Sequence, residues 1–239
     1  MKKLLTLLTM SAAALASAAA TAAPMCEARS TATAPTVVEL YTSEGCSSCP
    51  PADRWLSTLK GRSDVLPLAF HVGYWDRLGW VDRFASPSFT ERQYEQARID
   101  HNLSVYTPQV VVQGRDWPGW PKLPKAEGTA AVALQLSREG ESVTAQISGA
   151  PGSPRLAGYW AVLEDGHQSK VRAGENAGET LRHDHVVRLL RPVPEWAGAA
   201  GARWQLTVST GAAEYPRRVV FVVTDAITHR PVQAVSLAC

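Results

Sequence analysis

The motif Cys46-Ser47-Ser48-Cys49-Pro50-Pro51 constrains the fold of this chain more than any other feature of the sequence. A proline is tolerated inside a helix only in the first turn, so a helix that follows must begin within the motif itself. A helix is indicated, because apolar residues then recur at the spacing of one helical face. They are Ala52, Trp55, Leu56 and Leu59, and Gly61 ends the pattern. The helix is therefore predicted to begin at about Cys46 to Cys49.

A Cys-x-x-Cys pair at a helix N-terminus has a specific chemistry. Unpaired backbone N–H groups and the positive end of the helix dipole lower the pKa of a thiol in that position from about 8.5. The thiolate is the form that attacks disulfides, and the short spacer lets the second cysteine resolve the mixed disulfide. The pair follows a β-rich run, Thr36–Tyr41, which is the placement of a redox motif. Cys46 is the predicted attacking residue and Cys49 the resolving one.

Two other interpretations of the pair remain open. A Cys-x-x-Cys is half of many metal sites, and His71 would complete a Cys2His set suited to copper(I) or zinc. Alternatively, the pair forms a purely structural disulfide. Metal binding would require further ligands, so we assign no metal ligand. No cofactor is predicted, because the two cysteines themselves carry the electrons.

The first residues have the pattern of a secretory signal peptide. Lys2 and Lys3 precede an apolar run to Met10, and small residues lead to an Ala-x-Ala exit at 20–22. The run is too short to span a bilayer, which takes about 20 residues. Cleavage leaves 22 basic and 22 acidic residues, a balance that gives no steering towards nucleic acid or anionic membranes. We therefore expect a periplasmic or secreted protein that binds neither nucleic acid nor, after cleavage, a membrane.

All four cysteines lie beyond the predicted signal peptide. An exported protein meets an oxidising compartment, in which disulfides persist. Four cysteines allow three pairings. The ends of a folded chain often lie close together, so the economical pairing is Cys46–Cys49 with Cys26–Cys239.

Four further residues are candidates for a proton relay or for the rim of the site. Glu44 precedes Cys46 by two residues, and a carboxylate there would relay protons or oppose the helix dipole. His71 ends the second predicted strand. Tyr74 and Trp75 belong to an aromatic segment that would grip a substrate peptide. The alternative for all four is an ordinary structural role, as a solvated loop residue, a strand-end histidine or a packed loop.

The remaining pattern changes near residues 115–130. Before that region strands and helices alternate, with a strand at Val65–Val72, a helix from a capping box at Ser88 to about Asn102, and a strand at Pro108–Gly114. A further helix is predicted over residues 126–138. Beyond it, six alternating stretches have the spacing of an antiparallel sandwich or barrel.

The order of strand, Cys-x-x-Cys, helix, strand, helix and Thr-Pro before a strand resembles the thioredoxin fold over residues 35–138. The run Thr107–Gly114 is similar to the cis-proline strand of glutaredoxins. In that superfamily the residue before the cis-proline faces the cysteine pair and offers its backbone to an extended substrate. The resemblance therefore implies that Thr107 and Pro108 form a substrate-binding platform beside the cysteine pair.

Longer motifs resemble a family of exported bacterial proteins that is described only as a domain of unknown function with a thioredoxin-like core. The motifs are Val38–Asp53, Phe70–Asp82, Tyr106–Val112 and Gly174–His183. The likeness spans nearly the whole chain after the predicted signal peptide.

These observations predict an α/β thioredoxin-like N-terminal domain over residues 36–138, followed by an all-β, sandwich-like domain over residues 139–239. Residues 1–22 are the predicted signal peptide and residues 23–35 a short N-terminal segment. The expected function is thiol–disulfide exchange on protein disulfides or dithiols, with a protein substrate or redox partner. The alternatives are a periplasmic copper- or zinc-binding protein or metallochaperone, and a non-catalytic binding module with a structural disulfide.

Overall fold

The computed structural model describes residues 25–102, 104–124, 129–149, 152 and 154–239. The predicted signal peptide lies outside the described residues. Two α-helices are present in these ranges, α1 (Pro50–Ser57) and α2 (Pro87–Ile99), and neither is long and apolar enough to cross a membrane. The strands are β1 (Met25–Arg29), β2 (Thr36–Thr42), β3 (Val65–His71), β4 (Gln109–Val112), β5 (Arg115–Asp116), β6 (Leu134–Glu139), β7 (Ser142–Ile147), β8 (Arg155–Glu164), β9 (His167–Lys170), β10 (Thr180–His183), β11 (Val186–Ala197), β12 (Ala202–Thr207), β13 (Arg217–Asp225) and β14 (Pro231–Ala238).

Eight of these strands form one sheet with the order β14-β13-β8-β11-β3-β2-β4-β5. Within it β2 and β3 are parallel, and β11 pairs with β3 in parallel as well. The other pairs in this sheet are antiparallel. A four-stranded antiparallel sheet has the order β1-β6-β7-β12, and β9 pairs with β10 as a separate hairpin.

Apolar side chains cover both faces of the large sheet. In β2, Val38 and Leu40 pack with α1, whereas Tyr41 lies on the opposite face with α2. Both β2 and β3 are buried along their whole length, because a helix covers each face. The four-stranded sheet packs on the same face as α1, in a cluster where the rings of Trp160 and Phe221 meet edge to face at 4.7 Å.

The expectation of an α/β thioredoxin-like N-terminal domain is wrong. The structure is 43% strand and 13% helix, and large sheets dominate it. The physical reason is that β3 is not a sheet edge. The backbone N–H of Ala69 donates to the carbonyl of His185 at 2.8 Å, and Val186 of β11 pairs with Ala69. The strands expected of the first part therefore continue into strands of the second part, within one mostly β architecture.

Two predicted helices also differ from the structure. The described C-terminal part of the helix expected over residues 126–138 is strand β6, and the start of that segment includes residues outside the described ranges. Leu134 and Leu136 alternate with polar residues, and β6 pairs with β1 and β7, so sheet pairing overrides the helical propensity of this segment. The helix α2 begins after Ser86 as its N-cap, so Ser88 lies in the first turn and not at a capping box.

A disulfide between Cys26 and Cys239 joins β1 to the residue that follows β14. The two Cα atoms are 6.2 Å apart. Cys46 and Cys49 form the second disulfide, so both expected pairs are bonded in the structure. Two disulfides indicate a protein of an oxidising compartment.

Candidate functional site

The Cys46–Cys49 disulfide lies between the end of β2 and the start of α1. A tight turn follows the strand: the N–H of Cys46 donates to the carbonyl of Ser43 at 3.1 Å, and the N–H of Cys49 to that of Cys46 at 3.2 Å. The helix begins at Pro50 with Cys49 as its N-cap. The start of α1 thus agrees with the position that the two prolines require.

Both cysteines are buried, with Cys46 1% and Cys49 0% exposed. The exposed neighbour of the pair is Ser48, and Ser47 beside it is exposed as well; Oγ of Ser48 lies 3.3 Å from Sγ of Cys46 and 3.5 Å from the carbonyl oxygen of Thr107. Thr107 is joined to Pro108 by a cis peptide bond. The structure therefore brings this segment beside the cysteine pair, with the Ser48 side chain between them.

The aromatic segment after β3 forms a second side of the site. The indole N–H of Trp75 donates to Oγ1 of Thr107 at 2.8 Å. Trp75 also packs closely on Gly45, because a Cβ atom at residue 45 would lie 2.9 Å from the Cβ of Trp75. Tyr74 is half-buried, and its hydroxyl has no hydrogen-bond partner among the described residues. Close approach of the aromatic segment thus requires a glycine directly before Cys46.

Five buried titratable residues adjoin the cysteine turn, and we call them the acid–histidine cluster. They are Glu44, Asp53, His71, Asp82 and His183, each no more than 7% exposed. Nδ1 of His71 donates to Oδ2 of Asp82 at 2.7 Å, and the same oxygen accepts the backbone N–H of Glu44 at 2.9 Å. Asp82 therefore holds both the histidine and the backbone that leads into Cys46.

His183, the last residue of β10, joins this cluster from the C-terminal part of the chain. Its Nε2 lies 3.3 Å from Oε1 of Glu44, and its ring centroid lies 4.9 Å from that of His71. The other oxygen of Glu44 accepts the indole N–H of Trp80 at 2.7 Å. Oε1 of Glu44 and Nε2 of His183 face each other without hydrogen-bond geometry, and among the described residues Nε2 of His71 and Nδ1 of His183 have no hydrogen-bond partner. Buried polar atoms without partners are rare, and a group of them is typical of a site that handles protons or ligands.

The acids of the cluster differ in the direction in which their pKa values are shifted. Burial raises the pKa of Glu44, but the facing His183 brings that pKa below its ordinary value. For Asp53 burial dominates, and its pKa is raised in spite of the two histidines. Burial lowers the pKa of His71, but the Asp82 carboxylate outweighs burial and raises it, and His71 in turn lowers the pKa of Asp82 against the effect of burial. Asp53 is thus the acid of the cluster whose pKa burial raises above its ordinary value.

A loop between β9 and β10 holds the backbone of the cysteine turn. The side-chain amide of Asn176 donates to the carbonyls of Glu44 and Cys46, both at 2.9 Å. A carboxylate oxygen of Glu175 accepts the backbone N–H of Ser47 at 2.9 Å and its hydroxyl at 2.8 Å. These contacts join segments that are 128 to 132 residues apart in sequence.

The structure brings together most of the residues that the sequence singled out for the site. They are Cys46, Cys49, Glu44, His71, Trp75, Thr107 and Pro108. Four further buried residues that sequence reasoning did not assign to the site also adjoin the cysteine turn: Asp82, Asn176, His183 and Asp53. The available signal for the first three was their presence in the motifs Phe70–Asp82 and Gly174–His183.

The copper or zinc alternative gains no support from the geometry. Within the described ranges, no group of three or more His, Cys, Asp or Glu residues is arranged to hold a metal ion. The two cysteines are bonded to each other, and Nδ1 of His71 is bonded to Asp82.

The similarity of this chain to known proteins extends over most of its length. The family "Protein of unknown function (DUF1223)" matches residues 37–224, and no curated protein matches the chain. The X-ray crystal structure of a protein from Agrobacterium tumefaciens, a structural genomics target, is similar with a TM-score of 0.65 and 28% identity, covering 86% of this chain and 95% of that one. HBP35 of Porphyromonas gingivalis shares the fold alone, with a TM-score of 0.58 and 14% identity over 87% of this chain and 76% of that one. The chain belongs to the DUF1223 family of proteins of unknown function.

Proposed function

We propose that this protein is a periplasmic or secreted thiol–disulfide oxidoreductase whose Cys46–Cys49 pair exchanges with protein disulfides or dithiols. The observation that supports this function is the position of the acid–histidine cluster next to the pair. A disulfide that only braces a fold needs no titratable neighbours, and burying five of them carries a desolvation cost that a structural disulfide does not require. Clusters of perturbed acids and bases are concentrated at functional sites.

The exchange proceeds in two balanced steps. In the reducing direction, the Cys46 thiolate attacks one sulfur of a substrate disulfide, a mixed disulfide forms, and the other substrate sulfur leaves as a thiolate that takes up a proton. The Cys49 thiolate then attacks Sγ of Cys46, which closes the Cys46–Cys49 bond and releases the second substrate thiolate. The substrate gains two electrons and two protons, and the dithiol loses them. The oxidising direction reverses both steps.

The neighbours of the pair have matching roles in this proposal. Asp53 accepts and returns the proton of the cysteine pair, since its raised pKa suits a carboxyl group that changes protonation. It lines a cavity of about 100 Å³ between α1 and β10, which offers protons a path to solvent. Glu44 and His71 relay protons within the cluster. Thr107 and Pro108 take the substrate strand once the Ser48 side chain swings away, and Trp75 borders that groove.

The first test is the reduction potential of the Cys46–Cys49 pair in the full chain. Thiol labelling in graded glutathione buffers, with the labelled peptides separated by mass, distinguishes this pair from Cys26–Cys239. A potential between about −270 and −120 mV lies in the range of exchange catalysts and supports the proposal. A potential well below about −300 mV marks a resistant structural disulfide and contradicts it.

A pair of single variants tests the order of attack. Cys49→Ser is expected to accumulate a mixed disulfide at Cys46 when the protein is incubated with a disulfide substrate, because the resolving thiol is missing. Cys46→Ser is the matched control and is expected to trap nothing. Equal trapping by both variants would contradict the assigned roles. Full cellular function of the double Cys46→Ser/Cys49→Ser variant would favour a binding module instead.

A further inference from the structure

The contact between Glu175 and the cysteine turn has a consequence for the redox pair. Glu175 is exposed on the loop between β9 and β10, and it accepts two hydrogen bonds from Ser47, the residue directly after Cys46. These bonds lower the pKa of Glu175, so its carboxyl group is ionised at neutral pH. A fixed negative charge is therefore held one residue away from the attacking sulfur.

The backbone N–H of Ser47 belongs to the turn that leads into α1, two residues before the N-cap Cys49. Such donors and the positive end of the helix dipole stabilise an anion at a helix start. Here Glu175 occupies this donor with a carboxylate and so withholds it from a Cys46 thiolate. The cation that faces Glu175 is Arg77, which lies over the ring of Trp75 at 5.8 Å and offsets the charge only in part.

We propose that Glu175 is a positioning residue that biases exchange towards the oxidised form of the Cys46–Cys49 pair by disfavouring its reduced form. A thiolate beside a carboxylate is less stable, whereas the disulfide carries no charge and is unaffected. At pH values at which Cys46 of the reduced pair is ionised, the pair is thereby shifted towards its oxidised form and becomes a stronger reductant. The bias favours protein disulfides as substrates that the dithiol reduces, and a dithiol donor protein then recycles the pair.

This inference rests on the proposed exchange function, and it explains why a loop from the C-terminal part of the chain touches the turn. The motif Gly174–His183 supplies three polar side chains to the site. Asn176 binds the cysteine turn, His183 faces Glu44, and Glu175 adds a negative charge.

The test compares the wild-type chain with Glu175→Gln and Glu179→Gln in graded glutathione buffers. Glutamine keeps an acceptor oxygen for Ser47 and removes only the charge. Glu179 is an exposed acid on the same loop whose side chain has no hydrogen bond or ion pair with the described residues, so it is the matched control. Glu175→Gln is expected to shift the equilibrium about two- to fivefold towards the reduced pair, the range for one exposed charge at a helix terminus. Glu179→Gln should leave it unchanged.

Salt separates an electrostatic effect from a structural one. In about 1 M salt the Debye length falls to about 3 Å, so the difference between wild type and Glu175→Gln should shrink. No shift in Glu175→Gln, an equal shift in Glu179→Gln, or a shift that salt leaves unchanged would overturn the inference. A wild-type pair that does not exchange with glutathione at all would instead overturn the proposed function itself.

Discussion

The Asp82 side chain holds three neighbouring groups by hydrogen bonds, and Asp82→Asn tests how much these bonds stabilise the fold. Its side chain is fully buried, and its two oxygens accept the N–H groups of Glu44 and Phe84, both at 2.9 Å, as well as Nδ1 of His71. Asparagine has one acceptor oxygen in place of two, so at least one of these donors loses its partner. Removing one member of a buried ion pair costs about 3–5 kcal/mol, and we expect a loss of unfolding free energy in that range.

The loss should depend on pH in a defined direction. The folded-state pKa of Asp82 lies below 3.8, so its contribution to the free energy of unfolding is present above pH 3.8 and is lost as the pH falls through the folded value. The folded-state pKa of His71 lies above 6.5, so its contribution is present below pH 6.5 and is lost as the pH rises through the folded value. The difference between wild type and Asp82→Asn is therefore expected to be largest between these two pH values.

Urea unfolding across this pH range measures the effect. Asp64→Asn is the control, because Asp64 is exposed and pairs with Arg62 at the surface, where an ion pair contributes about 0–1 kcal/mol. A loss in Asp82→Asn below about 1 kcal/mol near pH 5 would refute the assignment of a buried ion pair. A loss of the same size at every pH would refute its linkage to titration.

Three further predictions concern neighbouring features. Cys26→Ser/Cys239→Ser opens a bridge between residues 213 apart and is expected to cost about 5 kcal/mol by loop entropy, measured by denaturant unfolding without reductant; a loss below about 1 kcal/mol would contradict that estimate. Gly45→Ala forces a Cβ against Trp75 and should cost about 1–3 kcal/mol, seen as a lower Tm, whereas an unchanged Tm would show that the turn adapts. The folded-state pKa of Asp53 is raised above 3.8, so its contribution to the free energy of unfolding is lost as the pH rises from 3.8 through the folded value. Asp53→Asn should therefore raise Tm at pH 7 more than at pH 4. An equal change at both pH values would argue against the raised pKa.

The sequence predicted individual elements better than their assembly. The prolines located the start of α1, and the β-rich run at residues 36–41 marked β2, because both signals are local. The parallel pairing of β11 with β3 joins segments more than a hundred residues apart, and nothing in the strand pattern of Val65–Val72 marks which edge is paired. The fold class was wrong for that reason.

In the candidate site too, residues that are neighbours along the chain were easier to predict than those that only the fold brings together. Glu44 and the cysteines are neighbours in sequence, and their proximity follows from the chain itself. Asp82 lies in a loop and His183 ends the short strand β10, and only tertiary structure brings them to the turn. Asp53 is not part of the apolar pattern that marks α1 in the sequence, yet it is buried where α1 packs against β10.

The bond between Cys26 and Cys239 makes the intervening chain a closed covalent ring. A protease that cuts one surface loop of this ring, where nicking is most common, leaves both pieces attached to each other. Release of a fragment requires a second cut or a reductant. Likewise, a mechanical load applied at these two residues is borne by the sulfur–sulfur bond, and the hydrogen-bonded sheets between them carry none of it.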